Sequence, residues 1–454
     1  MKIPFPFEVL LIFSIMSCAL LFGFILRGSL KFLQVFLFPS CLIGGLVGFI
    51  LISTGIISVD ISLLESFAFH LFNISFISVG LTSGSDEAAA ASKSKEMAKG
   101  AIWMALIQAI TFPMQAIAGG LLVLFFNGIG IDLFKTFGFL VPLGFIQGPG
   151  QALSIGKVWE EVGFQHAATI GLTFAAVGFL FAFFVGVPLV NRGIRKGQAA
   201  HTPARLSEDI LKGFVRKNQE RESAGELTTH SGNVDTLAFQ MSLIGVIYLL
   251  SYTLVNGLGG MLPPKLGTTL WGFFFFIGLA LAILVKVVIK KLGYSHLINP
   301  GVQKRITGLA VDYMIVATVM AVQLVIVWQY IIPITVMSVV SGFLTTLAVV
   351  YFGNRLWGFN LERTAAIYGT VTGTVSTGLL LLRIVDPEFK TSAALELGFM
   401  IMFVSPVIIG CMLLVSAPVV WEWSINFTMI IFAILMIVSI AVMKLSGLWG
   451  RKRV

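Results

Sequence analysis

Runs of about 20 apolar residues recur from one end of this 454-residue chain to the other. That is the length a helix needs to cross the hydrocarbon core of a bilayer. Inside hydrocarbon every backbone N–H and C=O must find a partner within the protein, so such runs fold as bundled helices. A transmembrane barrel would show short alternating segments instead. The composition agrees, at 57% hydrophobic and 11% charged residues. The net charge of +9 fits basic loops on the cytoplasmic side and does not call for nucleic acid. Met1-Lys2-Ile3-Pro4 leads into an apolar run ending at Arg27 with no small-residue cleavage pattern, which reads as a retained first span. Cys18, Cys41 and Cys411 lie in hydrophobic segments without zinc or redox spacing, and their odd number argues against a disulfide framework.

Spans read at about 8–26, 33–53, 63–82, 101–126, 166–190, 236–256, 268–289, 309–327, 331–353, 391–416 and 424–443. Two more apolar segments, 134–160 and 364–384, are interrupted. The first contains Gln147-Gly148-Pro149-Gly150-Gln151. Glycine costs about 1 kcal/mol and proline about 3 relative to alanine in a helix interior, so this stretch breaks its helix. The positive-inside rule decides whether the interrupted segments cross. If each enters and leaves on one side, with the amino terminus outside, only Lys2, Lys135, Lys157 and Lys265 of the 30 Lys/Arg face outside. If 134–160 crossed, the basic stretch 191–223 would be outside. The sequence therefore predicts two re-entrant segments.

A shift of 225 residues places Gly148 on Gly373, Gly144 on Gly369, Phe164 on Phe389 and Pro39 on Pro264. One offset serving such distant points marks an internal repeat. Five crossings is an odd number, so the second copy is inserted upside down. The expected fold is an all-α polytopic membrane protein of two inverted-topology repeats. Each has five transmembrane helices and one re-entrant hairpin, and one extra C-terminal helix follows. The units are 1–190 (hairpin about 134–160), a basic cytoplasmic linker 191–235, 236–416 (hairpin about 364–384), and 417–454 with the basic tail.

Inverted repeats with broken helices are a recurring architecture of secondary transporters. Helix N-termini at the breaks attract anions, whereas hydroxyls and freed carbonyls suit a sodium ion. The second break is dense in such oxygens: Thr370, Thr372, Gly373, Thr374, Ser376, Thr377 and Gly378. Candidate substrate contacts are Gln147, Gly148, Pro149, Gly150 and Gln151 at the first break, and Thr374, Ser376, Thr377 and Arg383 at the second. Candidate sodium ligands are Thr370, Thr372, Gly373 and Gly378, with Asn73 and Ser78 of the third span. Sodium is the expected ion, with no transition metal and no cofactor.

At these residues the sequence resembles the bacterial glutamate:sodium symporter family. The resemblance rests on FPSCLIGGLVG at 38–48, on Ile77-Ser78-Val79-Gly80-Leu81, on the first hairpin running into 159–168, and on the second running through Asp386-Pro387-Glu388-Phe389. It covers all but the last span. It implies sodium-coupled uptake of glutamate or a related small carboxylate by a homodimer in the bacterial inner membrane, with an elevator-like movement of the hairpin-bearing part. The amino terminus is expected outside and the carboxyl terminus in the cytoplasm. Close members carry Ser-Gly-Gly-His-Gly where this chain has Gln147 to Gln151. They carry Gly-Ala-Thr-Pro where it has Ser376-Thr377-Gly378-Leu379.

Other polar residues in the spans have plainer readings. His70, Asn73, Gln108 and Gln115 suit interhelical hydrogen bonds, with a cation or substrate contact as the alternative; Asp312, His166 and Lys157 suit the interface, with ion coupling the alternative for Asp312. Glu396 is a candidate proton or sodium ligand if the chain is driven otherwise. Rival readings are a proton-coupled or other-carboxylate carrier, a non-transporting sensor, and a membrane-embedded enzyme. The sequence offers no metal spacing or nucleophile–base pair for the last.

Overall fold

The structure, a computed structural model, describes residues 7–82, 95–200, 208–215, 217, 223–387 and 390–450. Lys2, Lys93, Glu388, Phe389 and the basic tail 451–453 lie outside the described residues. The fold begins with four helices, α1 (Glu8–Ser29), α2 (Ser40–Ser53), α3 (Ile61–Thr82) and α4 (Lys95–Gly128). A short pair follows, α5 (Leu140–Phe145) and α6 (Pro149–Glu160), and then α7, continuous from Ala167 to Arg195. The second half runs α8 (Thr236–Met261), α9 (Pro264–Gly272), α10 (Phe274–Lys291), α11 (Pro300–Met320) and α12 (Ile331–Gly353). It continues with a second short pair, α13 (Asn360–Val371) and α14 (Val375–Val385), then α15 (Ala393–Val420) and α16 (Ile425–Leu445). Among the described residues there is no strand.

Among the described residues, eight helices are long and apolar enough to cross a membrane, or nine if the pair α9 and α10, bent by 64°, counts as one span. The sequence-based expectation was eleven crossings, and the difference has local causes. In the 33–53 segment, Leu37 turns into the left-handed region (φ 52°) ahead of Pro39, leaving α2 only 14 residues, about 21 Å at 1.5 Å per residue. The 309–327 segment is instead α11 and a short helix, Leu324–Gln329, with Lys304, Arg305 and Asp312 on α11. The second interrupted segment begins at Asn360, earlier than expected, and α7 carries five residues into the expected linker.

The two halves pack through matching partners. α2 lies on α1 and α11, as α10 lies on α8 and α3, and α3 and α11 lie on each other. α4 packs on α12 and α15, and α7 on α12 and both arms of the first pair. Gly23 and Gly44 let the backbones of α1 and α2 touch, since a Cβ on either would collide with the other helix. His70 is exposed on α3, not turned inward, and its Nδ1 lies 2.6 Å from the Tyr248 hydroxyl of α8.

Loop contacts gather at two ends of the bundle. At one, Lys265 Nζ is 2.6 Å from Glu422 Oε1, and this ammonium, with Lys135 also nearby, holds the Glu422 carboxyl below its ordinary range. At the other, Arg27 Nη2 donates to Ile210 O at 2.9 Å and Asn299 Nδ2 to Glu226 O at 2.8 Å. There too the Ala200 N–H donates to Glu362 Oε1 at 2.7 Å.

Candidate functional site at two touching helix breaks

The first pair breaks where α5 ends and Gly148 takes φ 83° and ψ −177°, a conformation essentially reserved for glycine. Pro149 then opens α6 at its first position, where its missing N–H costs nothing. The segment returns to where it starts: the rings of Phe134 and Phe164 stack 4.6 Å apart at 15°. The second pair breaks at Thr372 and Gly373, and Thr374 caps α14 by accepting from the Thr377 N–H at 3.4 Å. Its two ends also meet. Arg363 donates from Nε to Glu396 Oε2 at 2.7 Å and from Nη2 to Glu396 Oε1 at 2.6 Å, and both side chains are buried. Ser392 Oγ donates to the same carboxylate, and Arg363 Nη1 to Gly358 O. Glu396 is thus saturated by a fixed cation, which leaves little for the proton or sodium role that its sequence position suggested. Beyond α14, Asp386 accepts from the Lys390 and Thr391 backbones and the Thr391 hydroxyl, closing the turn into α15.

The two breaks touch. A Cβ on Gly148 would lie 2.7 Å from Thr374 Cγ2 and 3.5 Å from Gly373 O. Gln151, Pro149 and Gly150 are buried beside this contact, with Gly150 against the Phe72 ring. Gln147 Nε2 is buried there without a partner. Next to Phe72, Asn73 is fully buried; its Nδ2 donates to Phe69 O while Oδ1 has no partner. Thr370 and Thr372 hydroxyls donate to carbonyls one turn back in α13, keeping lone pairs free. Gly378 lies where a side chain would strike Thr370 and Ala366, so α13 and α14 close tightly.

Two predicted residues are placed elsewhere. Ser78 Oγ donates to Gln303 on α11 and accepts from Thr307, joining a network that continues to Gln240. The structure does not bring it to the breaks. Arg383 is exposed near the far end of α14, about two turns from the break.

Each break helix borders a cavity. One of about 420 Å³ lies between α6, α3 and α9, where Lys157 Nζ is 2.7 Å from Glu65 and 2.9 Å from Glu160. The other, about 330 Å³, lies between α14, α2 and α11. Thr374, Ser376 and Thr377 form one wall, at the N-terminus of α14, and Lys304, Gly308 and Asp312 form the facing one. These three stand at i, i+4 and i+8, on one face of α11, and Gly308 leaves the space open. The Asp312 carboxyl interacts with the Cys41 thiol at the start of α2. The wall at α14 thus offers a helix N-terminus, three hydroxyls and an ammonium across the gap, the chemistry of a carboxylate site. Asp312 offers the complementary partner for an ammonium group. Lys304 carries no local signal of this in the sequence, because only the packing of the fold puts it on the same cavity as Thr374.

A family model described as sodium/glutamate symporter matches residues 5–379. The chain belongs to the sodium/glutamate symporter family. No curated protein matches it. The matched part of this symporter includes both breaks and the facing wall of α11, and it ends just past Gly378. Membership makes the chain a multi-pass membrane transport protein of a glutamate-related kind, with Na+ implied as the coupling ion.

Proposed function

We propose that the protein imports glutamate or a closely related small carboxylate together with Na+ by moving its two broken helix pairs as a unit. The observation that carries this is the contact of Gly148 with Gly373 and Thr374. Two interrupted segments, 225 residues apart, meet at their breaks. The return of each segment to its starting end, through Phe134–Phe164 and Arg363–Glu396, supports reading them as re-entrant hairpins. The matching helix partners of the two halves support inverted repeats spanning 1–190 and 236–416, joined by a cytoplasmic linker and followed by an extra helix. The gathering of Arg27 and the linker at one end, and of Lys265 and Glu422 at the other, supports an outside amino terminus and a cytoplasmic carboxyl terminus in an inner membrane. The hairpin-bearing part would travel, elevator-like, past α1, α2, α3, α8, α10 and α11, within a homodimer.

In this reading the substrate carboxylate sits at the α14 N-terminus on Thr374, Ser376 and Thr377, and its second carboxylate meets Lys304. The amino group meets Asp312, while Gln147 and Gln151 with the Gly148-Pro149-Gly150 backbone close the opposite side. Arg383, exposed beyond the cavity, serves the interface. Asn73 Oδ1, with Thr370, Thr372, Gly373 and Gly378, supplies oxygens for sodium. Uptake of labelled glutamate into proteoliposomes tests the proposal. A sodium gradient should raise the rate at least tenfold over a potassium control, and Asp312→Asn and Lys304→Gln should each raise the half-saturating glutamate concentration at least tenfold. Flux that ignores sodium but follows a pH gradient would replace sodium by protons. The absence of flux with any acidic substrate would remove the proposal.

A further inference from the structure

Behind the second break, α4 and α12 cross beside the last carbonyls of α13. Gln115 of α4 is completely buried there. Its Nε2 donates to Thr345 Oγ1 at 2.8 Å and to Val371 O at 3.4 Å, whereas Oε1 is buried without a partner. On α12, Ser341 lies one turn before Thr345 and Ser338 two turns before, on the same face. Both hydroxyls are buried and unpartnered. Val371 closes α13, so its carbonyl lacks a helical partner and carries the negative end of the helix dipole.

The groups named here are buried oxygens and one amide, none of them a charged side chain. A buried polar atom without a partner is costly, and Gln115 Oε1, Ser338 Oγ and Ser341 Oγ are all left so. A half-turn of the Gln115 amide exchanges Oε1 with Nε2. Oxygen then stands where Nε2 now stands, 2.8 Å from Thr345 Oγ1 and 3.4 Å from Val371 O. Oxygens sharing a hard cation at roughly 2.3–2.6 Å lie about that far apart. Neutral ligands fit a monovalent ion, since divalent ions draw on carboxylates.

We propose that Gln115 Oε1, Thr345 Oγ1, Val371 O and the Ser341 hydroxyl form a sodium site behind the second break. The proposal rests on the sodium-coupled reading above and adds a ligand set that shares no residue with Asn73, Thr370, Thr372, Gly373 and Gly378. Sodium there would pin the end of α13 to α4 and α12 and so fix Gly373 and, next to it, Thr374, which lines the substrate cavity. Ion and substrate would then be linked through one short stretch of backbone.

The experiment measures melting temperature of the purified full chain in detergent against NaCl, KCl and choline chloride, together with sodium dependence of uptake in proteoliposomes. Wild type should be stabilised by sodium alone. Thr345→Val, Ser341→Ala and Gln115→Met should raise the half-effective sodium concentration at least tenfold in both measurements. If all three variants keep wild-type sodium dependence within twofold, the seam holds water only and the proposal is overturned. If sodium raises the melting temperature of the wild type but drives no flux, the transport reading fails while the site is still judged by the variants' melting curves. If sodium does not stabilise the wild type at all, the site is refuted even where flux is sodium-driven.

Discussion

Gly148 is the residue with the least freedom to change. Its backbone lies at φ 83° and ψ −177°, where a side chain costs about 1–3 kcal/mol, and its missing Cβ leaves room for Thr374. Gly148→Ala should therefore cut maximal uptake at least tenfold, measured in proteoliposomes at equal reconstituted protein. Pairing it with Thr374→Gly should recover only part of that loss, because the clash is removed and the backbone strain is not. Full recovery would show that the contact alone matters. This residue was legible in the sequence because a glycine beside a proline in an apolar run has a purely local meaning. Lys304 and Asp312 were less so, since the role proposed for them depends on α11 and α14 lining one cavity, some 70 residues apart in the chain. Arg363 carries no such local signal either, because its partner Glu396 lies 33 residues further along the chain.

At the scale of elements, the second broken pair is anchored by that Arg363–Glu396 ion pair, which ties the start of α13 to the start of α15. Removing one partner of a buried pair costs about 3–5 kcal/mol, because the other charge is left in a dry core, whereas replacing both by apolar groups is often neutral. Arg363→Met and Glu396→Leu should each lower the melting temperature in detergent, and the double variant should return near wild type. A double variant as unstable as either single one would mean that the Ser392 and Gly358 bonds, not the ion pair, hold the element. The breaks themselves, at Gly148 and Gly373, fall where glycine and proline put them. The ends of the elements were less legible. α13 begins at Asn360, inside a stretch read as polar loop, because Arg363 and Glu362 are buried against partners far along the chain. The bend between α9 and α10 at Phe273 carries no glycine or proline of its own to announce it, although Gly272 precedes it.

For the whole molecule, the sidedness read from charge can be checked directly. In a variant lacking Cys18, Cys41 and Cys411, single cysteines at Lys135, Lys265 or Glu422 should react with a membrane-impermeant maleimide added to intact cells. Cysteines at Arg355 or Lys212 should react only after the membrane is opened. Labelling of Lys135 and Lys212 from the same side would break the topology. The global order of helices was legible because hydrophobic length and basic loops act over the whole chain. The proposed matching of halves rests in the sequence on only a few positions, since membrane helices of similar composition pack alike with little shared sequence.

The meeting of Gly148 with Thr374 has one more consequence. Both backbones carry exposed polar groups at their breaks, yet at the point of contact there is no space even for a methyl group. A junction that close admits no thread of water between the two segments. The assembly should thus be electrically tight: moving cargo in discrete lots, it should carry no current in planar bilayers when substrate and sodium are both absent, and a membrane crowded with it should hold its voltage.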